Sequence, residues 1–436
     1  MHPASRRTAV VGLAILAAAW VGVGQRSHAQ TPSAGAVALT NARVIDGTGR
    51  APMEGATVVI SDGRIQAVGP MVAVPPGATR VDLAGKTVMP GLVNAHGHLN
   101  ADTSNRPTRD KLIGQLKLYA DYGVTSVQVL GIGLDAVTDA INLRDEQATG
   151  PLDRARVFVA AQSLRDLKSE ADARMWVNNY ADRRVDIIKL HIPGGPNDMT
   201  PAVYGALIDQ AHQRGLRVAA HLFYLRDAKG LLEKGVDVIA HSIRDQDVDQ
   251  ATIAAIKARN VGYIPTLTRD LAQFVYESTP DFFKDPFFLR HADAYRRDIM
   301  KLSDAMSQEK MRTNPDAQAI KTALQQGSRN LKTLQDAGVL IAMGTDTGTN
   351  EGQWQGYFEQ VELEMMVKAG LTPMQALVAA TSGAAKVAKV DQQLGTIQPG
   401  LRADLLVLNA NPLTDIRNTR QIHSVWIAGR QMPRAD

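Results

Sequence analysis

The chain of 436 residues contains no cysteine. That excludes disulfides and cysteine metal ligands, and it suits an oxidising compartment, where a free thiol is a liability. Basic residues number 48 against 44 acidic ones, and the resulting +4 is spread along the chain. Basic blocks interleaved with aromatics are missing, so no nucleic-acid partner is expected. No apolar run reaches the roughly 18 to 20 residues that span a bilayer. Gly194-Gly195 lacks a following Lys-Ser/Thr and therefore fails the phosphate-binding loop pattern. Internal repeats and low-complexity tracts are absent as well.

What the chain does have is 44% hydrophobic and 21% charged residues, enough for one barrel-sized domain and a smaller one. Arg6-Arg7, the apolar run Ala9 to Val23 and Ser27-His28-Ala29 form the three parts of a signal peptide, 1–29, cut after Ala29. The mature protein is expected to be periplasmic or secreted, with no membrane attachment after cleavage. The paired arginines resemble a twin-arginine signal. A Thr/Pro/Ser/Gly linker, 30–36, leads to 37–87, which reads as short strands with turns at Asp46-Gly-Thr-Gly49 and Asp62-Gly63. The tail, 395–436, has the same texture, with strands at Asp404 to Leu408 and Val425 to Arg430. Two such segments at opposite ends are most simply halves of one small β-sandwich.

Between them, 88–394 alternates short apolar runs with helical patterns. The runs are Val88 to Asn94, Val124 to Val129, Val157 to Ala160, Val185 to Leu190, Arg217 to Ala220, Val236 to Ala240, Val261 to Pro265 and Leu340 to Gly344. Each is nearly continuous, as expected when both faces are covered, and eight of them fit an α/β fold, a (β/α)8 TIM barrel. The long stretch from Pro265 to Leu340 predicts extra helices that could form a lid.

In such a barrel, chemistry gathers at the C-terminal strand ends. There the sequence places His96 and His98, then Lys189, His221, His241 and Asp346. Residues two apart on a strand point the same way, so His96 and His98 aim two imidazoles at one point, half of a zinc site. Any one of these residues alone could be an ordinary polar strand cap; six of the right types in this arrangement are hard to obtain by chance.

This order, with Pro90-Gly-Leu-Val-Asn-Ala-His-Gly-His98 first and a split β unit outside, resembles the amidohydrolase superfamily. The branch it is most similar to holds imidazolonepropionase-like proteins and binuclear-zinc dipeptidases of the prolidase type. The resemblance implies His96, His98 and Asp346 on one metal, His221 and His241 on the other, and Lys189 bridging them as a CO2-derived carbamate. It also implies that barrels pair, giving a homo-oligomer.

A cationic lysine beside two divalent ions would be repelled, so Lys189 can join them only deprotonated and modified. Two zinc ions sharing a water lower its pKa toward neutrality, so that a bridging hydroxide can attack an amide carbonyl. Asp346 would take the proton and return it to the departing amine, besides serving as a ligand. The expected small-molecule substrate is a dipeptide, an N-acyl amino acid or a related carboxylate-bearing amide. A deaminase or cyclic-amide (lactam or imidazolone) hydrolase is the alternative. A non-catalytic scaffold would have lost ligands, and none of the six is missing.

Candidate substrate contacts are Tyr224, Arg226 and Arg269, an arginine being suited to hold a carboxylate. His191 reads as a loop residue. Trp354 and Tyr357 could form an aromatic wall or pack the barrel rim. The sequence departs from the dipeptidase pattern in two loops: Ser242-Ile-Arg-Asp follows His241 where a glycine is common, and Leu-Phe-Tyr follows His221.

Overall fold

A computed structural model describes residues 35–433 except 101, 103 and 196. The signal-peptide reading and most of the linker lie outside the described residues. No helix among the described residues is long and apolar enough to cross a membrane.

The strands in chain order are β1 (Val37–Val44), β2 (Met53–Ser61), β3 (Arg64–Gly69), β4 (Thr79–Asp82), β5 (Thr87–Pro90), β6 (Leu92–Gly97), β7 (Val124–Val129), β8 (Arg156–Val159), β9 (Ile188–His191), β10 (Val218–His221), β11 (Val238–Ala240), β12 (Gly262–Ile264), β13 (Leu405–Leu408), β14 (Ile422–Ile427) and β15 (Arg430–Gln431). The two ends of the chain meet in one eight-stranded sheet, ordered β15-β14-β13-β5-β1-β2-β3 with β4 beside β1. Its centre is β5, parallel to β1 through Arg43↔Thr87 and antiparallel to β13 through Leu405↔Pro90.

The run beginning at Val88 is therefore two strands and not one. β5 belongs to this sheet, β6 to the central ring, and the chain changes sheets at Gly91. A Cβ there would stand 2.2 Å from Thr125 Oγ1, so only glycine lets the two layers touch.

In the centre, β6-β7-β8 and β9-β10-β11-β12 are two parallel ladders. Hydrogen bonds join them at both seams. On one side Asp186 N donates to Val159 O at 2.8 Å and Leu164 N to Lys189 O at 2.8 Å. On the other, Tyr263 N donates to Leu340 O at 2.9 Å, Ala95 N to Met343 O at 2.9 Å and Asp346 N to His96 O at 2.7 Å. The expected strand Leu340 to Gly344 is thus present as an irregular segment with a single bridge, Tyr263↔Ile341. It cannot run straight because Gly344 is pinned between Ile264 and His96, where a Cβ would meet atoms at 2.4 and 2.8 Å.

The apolar runs are buried on both faces, and alternate residues go to different cores. Ala219, Val238 and Ala240 join Val93, Ala160, Ile187, Ile264 and Ala342 in one cluster. Val218, Ala220 and Ile239 pack with the surrounding helices in another. Small residues on the first face leave room for strand-end side chains to converge above it. Helices follow the strands, several with side-chain caps, such as Ser169 accepting from Asp172 N and Asp249 from Thr252 N. After β12 the expected extra helices run from Leu267–Leu271 to Pro315–Asp336.

The outer sheet is tied to the ring by a buried pair. Arg156 on β8 reaches Asp404 beside β13 with Nε–Oδ2 2.5 Å and Nη2–Oδ1 3.1 Å, both side chains nearly fully buried. Removing one partner leaves an uncompensated charge, so Arg156→Met should cost roughly 3–5 kcal/mol. A lower urea midpoint would report it, and Arg156→Met/Asp404→Leu should recover part of the loss. An unchanged midpoint for the single variant would show that the pair is not holding the layers.

Candidate metal centre

His96 and His221 lie in the last two residues of β6 and β10, His98 and His241 one residue past β6 and β11, Lys189 is the second residue of β9, and Asp346 sits in the irregular seam. Asp346 Oδ1 stands 2.8 Å from His98 Nε2 and 3.1 Å from His96 Nε2. Lys189 Nζ is 3.3 Å from His96 Nε2 and its side chain is buried. His241 packs against His96 and His221, with ring centroids 4.7 and 4.2 Å away. His96, His241 and Asp346 each offer a donor atom within 4.8 Å of the others.

The backbone is bent sharply to achieve this. His241 has φ 147°, Asp346 φ 62° and Thr266, just past β12, φ 49°. Non-glycine residues in such conformations cost on the order of 1–3 kcal/mol each and persist only where the surroundings hold them. Here the holding contacts are visible. His98 Nδ1 is 2.7 Å from Gly131 O and His241 Nδ1 is 2.7 Å from Thr266 Oγ1.

The first of these contacts also decides which nitrogen of His98 is free. A carbonyl only accepts, so Nδ1 of His98 carries its proton and Nε2 of the neutral ring presents a lone pair. That lone pair faces a carboxylate oxygen at 2.8 Å. Two lone pairs at this distance repel unless a cation or a second proton lies between them. The donor set of imidazole nitrogens and a carboxylate suits zinc, and His96 Nδ1 is a buried polar atom without a hydrogen-bond partner. The residues present therefore fit a divalent metal.

Electrostatics agree. Burial, then the Lys189 charge, pushes His96 down to about 3. Burial holds His221 and His241 well below the usual histidine value, each helped by a neighbouring imidazole. Burial draws Lys189 down to about 7, which makes a neutral amine accessible near physiological pH. For Asp346, burial acts upward, but contacts with His96 and His98 outweigh it and hold the carboxyl well below its ordinary range.

Several partners were not legible in advance. His191 is the last residue of β9, not a loop residue. It is the register partner of His221 and stacks on it, with centroids 3.8 Å apart and planes 11° apart. Its position two residues after Lys189 was the available signal, since both then lie on one strand face. Two glutamates three residues apart on the helix Tyr357–Lys368 are fully buried beneath the site. Glu359 Oε1 accepts from Asn94 Nδ2, Thr345 Oγ1 and Thr347 Oγ1 at 2.6–2.7 Å, and Asn94 Oδ1 in turn accepts from His96 N at 2.9 Å. Glu362 accepts from Leu267 N, Thr268 N and Thr268 Oγ1 at 2.7–2.8 Å, and burial lifts it to about 7.

Of the candidate substrate residues, Arg269 stands at the centre, with Nε 3.9 Å from Asp346 Oδ2. Tyr224 and Arg226 sit at the rim. The Arg226 guanidinium lies 4.4 Å over the Tyr224 ring and donates to Gly194 O at 3.3 Å. Trp354 and Tyr357 are buried in an aromatic cluster with Tyr276, Phe283 and Phe288, which assigns them to packing the helices after β12.

With this geometry in place, the chain belongs to the amidohydrolase family, whose profile matches residues 87–432. An imidazolonepropionase of Salinispora arenicola is 24% identical over 85% of this chain and 90% of that protein. An uncharacterized protein of Mycobacterium tuberculosis is 29% identical, and the match spans 42% of this chain and about half of that relative, 51%. Among solved structures, a prolidase candidate from Bifidobacterium longum is 27% identical with a TM-score of 0.74, covering 92% of this chain and 95% of that one.

Glu359→Leu leaves Asn94, Thr345 and Thr347 without their shared acceptor. Second-layer losses of this kind lower metal affinity by about 10- to 100-fold. Chelator competition on folded protein would measure it, and wild-type affinity would remove Glu359 from ligand support.

Proposed function

We propose that the protein is an exported, metal-dependent amidohydrolase acting on an amide of a carboxylate-bearing small molecule, a dipeptide or an N-acyl amino acid. Localisation in the periplasm or outside the cell follows from the signal-peptide reading of 1–29. The reading also takes the ring of strands as a closed (β/α)8 barrel beside a sandwich-like sheet, which the hydrogen bonds at both seams support.

The observation that carries the proposal is the placement of Lys189. Its amine is buried 3.3 Å from His96 Nε2, inside a group of four histidines and one aspartate. A neutral amine there can attack CO2: a nitrogen–carbon bond forms as one carbon–oxygen π pair moves onto oxygen, the nitrogen's proton passes to water, and the side chain becomes an anionic bidentate ligand. His96, His98 and Asp346 would then hold one divalent ion and His221 and His241 a second, with Lys189 between. When bound, such ions supply Lewis acidity toward a carbonyl oxygen and lower the pKa of water.

The chain's own residues do the rest. Asp346 is ionised, so its carboxylate can accept a proton from the attacking water and pass it to the amine nitrogen as the carbon–nitrogen bond breaks. His98 is fixed in one tautomer by the Gly131 carbonyl, and the His241 ring is held in place by Thr266 Oγ1, so their donor atoms are pre-oriented. Arg269, with its charge toward the site, is placed to hold an anionic group of the substrate.

The 24% identity to an imidazolonepropionase favours cyclic-amide hydrolysis as the second reading. A hydrolysis screen of the zinc-loaded mature chain against dipeptides, N-acyl amino acids, aryl amides and lactams separates the two. Turnover confined to lactams would replace the first reading by the second, and no turnover in any class, with or without chelator, would reject both. Lys189→Ala should release about one of two bound metals per chain and abolish most activity. Unchanged metal content would sink the bridged site.

A further inference from the structure

The two loops that depart from the dipeptidase pattern touch each other. Phe223 follows β10 and Arg244 follows β11, and the Arg244 guanidinium lies 4.5 Å over the Phe223 ring. Arg244 is 3% exposed, and its Nη1 donates to Ser242 O at 2.7 Å and to Leu222 O at 3.3 Å. Its Nε stands 3.1 Å from Asp270 Oδ2, with both side chains 2% exposed. Asp270 Oδ1 in turn accepts from Arg269 Nη1 at 2.8 Å. Of the three charged side chains Arg244, Asp270 and Arg269, Arg269 alone reaches solvent appreciably, at 23%. Its Nε faces Asp346 Oδ2 at 3.9 Å.

Two guanidiniums share the Asp270 carboxylate along this row, and at the open end Arg269 also faces Asp346. A guanidinium is charged throughout the physiological range, so Arg269 presents a cation there. Asp270 fixes one edge of the planar guanidinium, leaving other N–H groups free for a bidentate anion. Arg244 is sandwiched between an aromatic face, two carbonyls and Asp270, so it cannot move away and let Asp270 turn.

We propose that Phe223, Arg244 and Asp270 are positioning residues that hold Arg269 as the carboxylate-selecting contact of the site, so that the two divergent loops set substrate specificity. The inference rests on the proposed site at Asp346, but it concerns recognition, and binding can test it without turnover. Zinc-loaded full-length chain is titrated calorimetrically with N-acetyl-L-leucine and with N-acetyl-L-leucinamide, which differ only in the anionic group.

The wild-type chain should bind the acid more tightly. Arg269→Lys, Asp270→Asn and Phe223→Leu should each narrow that preference by about tenfold while leaving amide affinity in place, because a bidentate charged contact is lost or misaligned. Phe223→Leu keeps an apolar side chain and serves as the decisive variant should Asp270→Asn fail to fold. If the wild-type chain shows no advantage for the acid, or no binding of it, the proposal is overturned. It is equally overturned if acid and amide affinities fall together, for then Arg269 only pairs with Asp346. A positive binding result beside a negative hydrolysis screen would reject the amidohydrolase reading and leave this one standing.

Discussion

Everything at the candidate site depends on holding one carboxylate oxygen of Asp346 against two imidazole nitrogens where little water enters. Left free, these groups would separate or take up protons, because lone pairs repel and buried charges are costly. The fold removes both escapes. Gly131 fixes the His98 tautomer and Thr266 orients the His241 ring, burial keeps most of the imidazoles neutral, and Asp346 is held in a left-handed backbone conformation by the hydrogen bond from its own N–H to His96 O. What remains is a set of donor atoms whose mutual repulsion a cation relieves.

That demand explains irregularities elsewhere. A regular eighth strand would carry Asp346 past the centre, since an extended residue cannot take φ 62°. The seam between β12 and β6 therefore keeps one regular bridge, at Ile341, and goes on in irregular backbone bonds, while Thr345 and Thr347 bring their hydroxyls to Glu359. β6 shifts register twice against β7, and Asn94 reaches Glu359 while His96 reaches Asp346. Side-chain bonds to one buried carboxylate supplement the irregular backbone pairing.

The sequence made the strands and the candidate ligand cluster legible because both obey short-range rules. Buried strands read as unbroken apolar runs, and histidines, a lysine and an aspartate near their ends stand out as polar residues in apolar company. Gly91 was not legible as a crossing point, since Val88 to Asn94 is one apolar run and nothing local distinguishes a strand that changes sheets. His191 was misplaced for the opposite reason: Ile192-Pro-Gly-Gly signals a loop so strongly that the last strand residue was drawn into it. Glu359 and Glu362 gave no warning at all. On a helix surface two glutamates are ordinary, and only tertiary packing reveals that this face points inward.

Those two glutamates couple what would otherwise be separate devices. They lie one turn apart on the same helix, so their side chains leave on one face. Glu359 holds the loop that carries Asp346, and Glu362 accepts from the first backbone N–H groups of the short helix Leu267–Leu271, which carries Arg269 and Asp270. A shift of this helix by a fraction of an ångström would move the Asp346 carboxylate and the Arg269 guanidinium together. Their relative placement is thereby less sensitive to motion than either position alone. The aromatic cluster around Trp354 and Tyr357 gives the helix a reason to stay put: its first turn is packed against Phe282, Phe283 and Phe288 of the segment following β12. The helices inserted after Pro265 thus stabilise the site from behind, whatever else they cover in front.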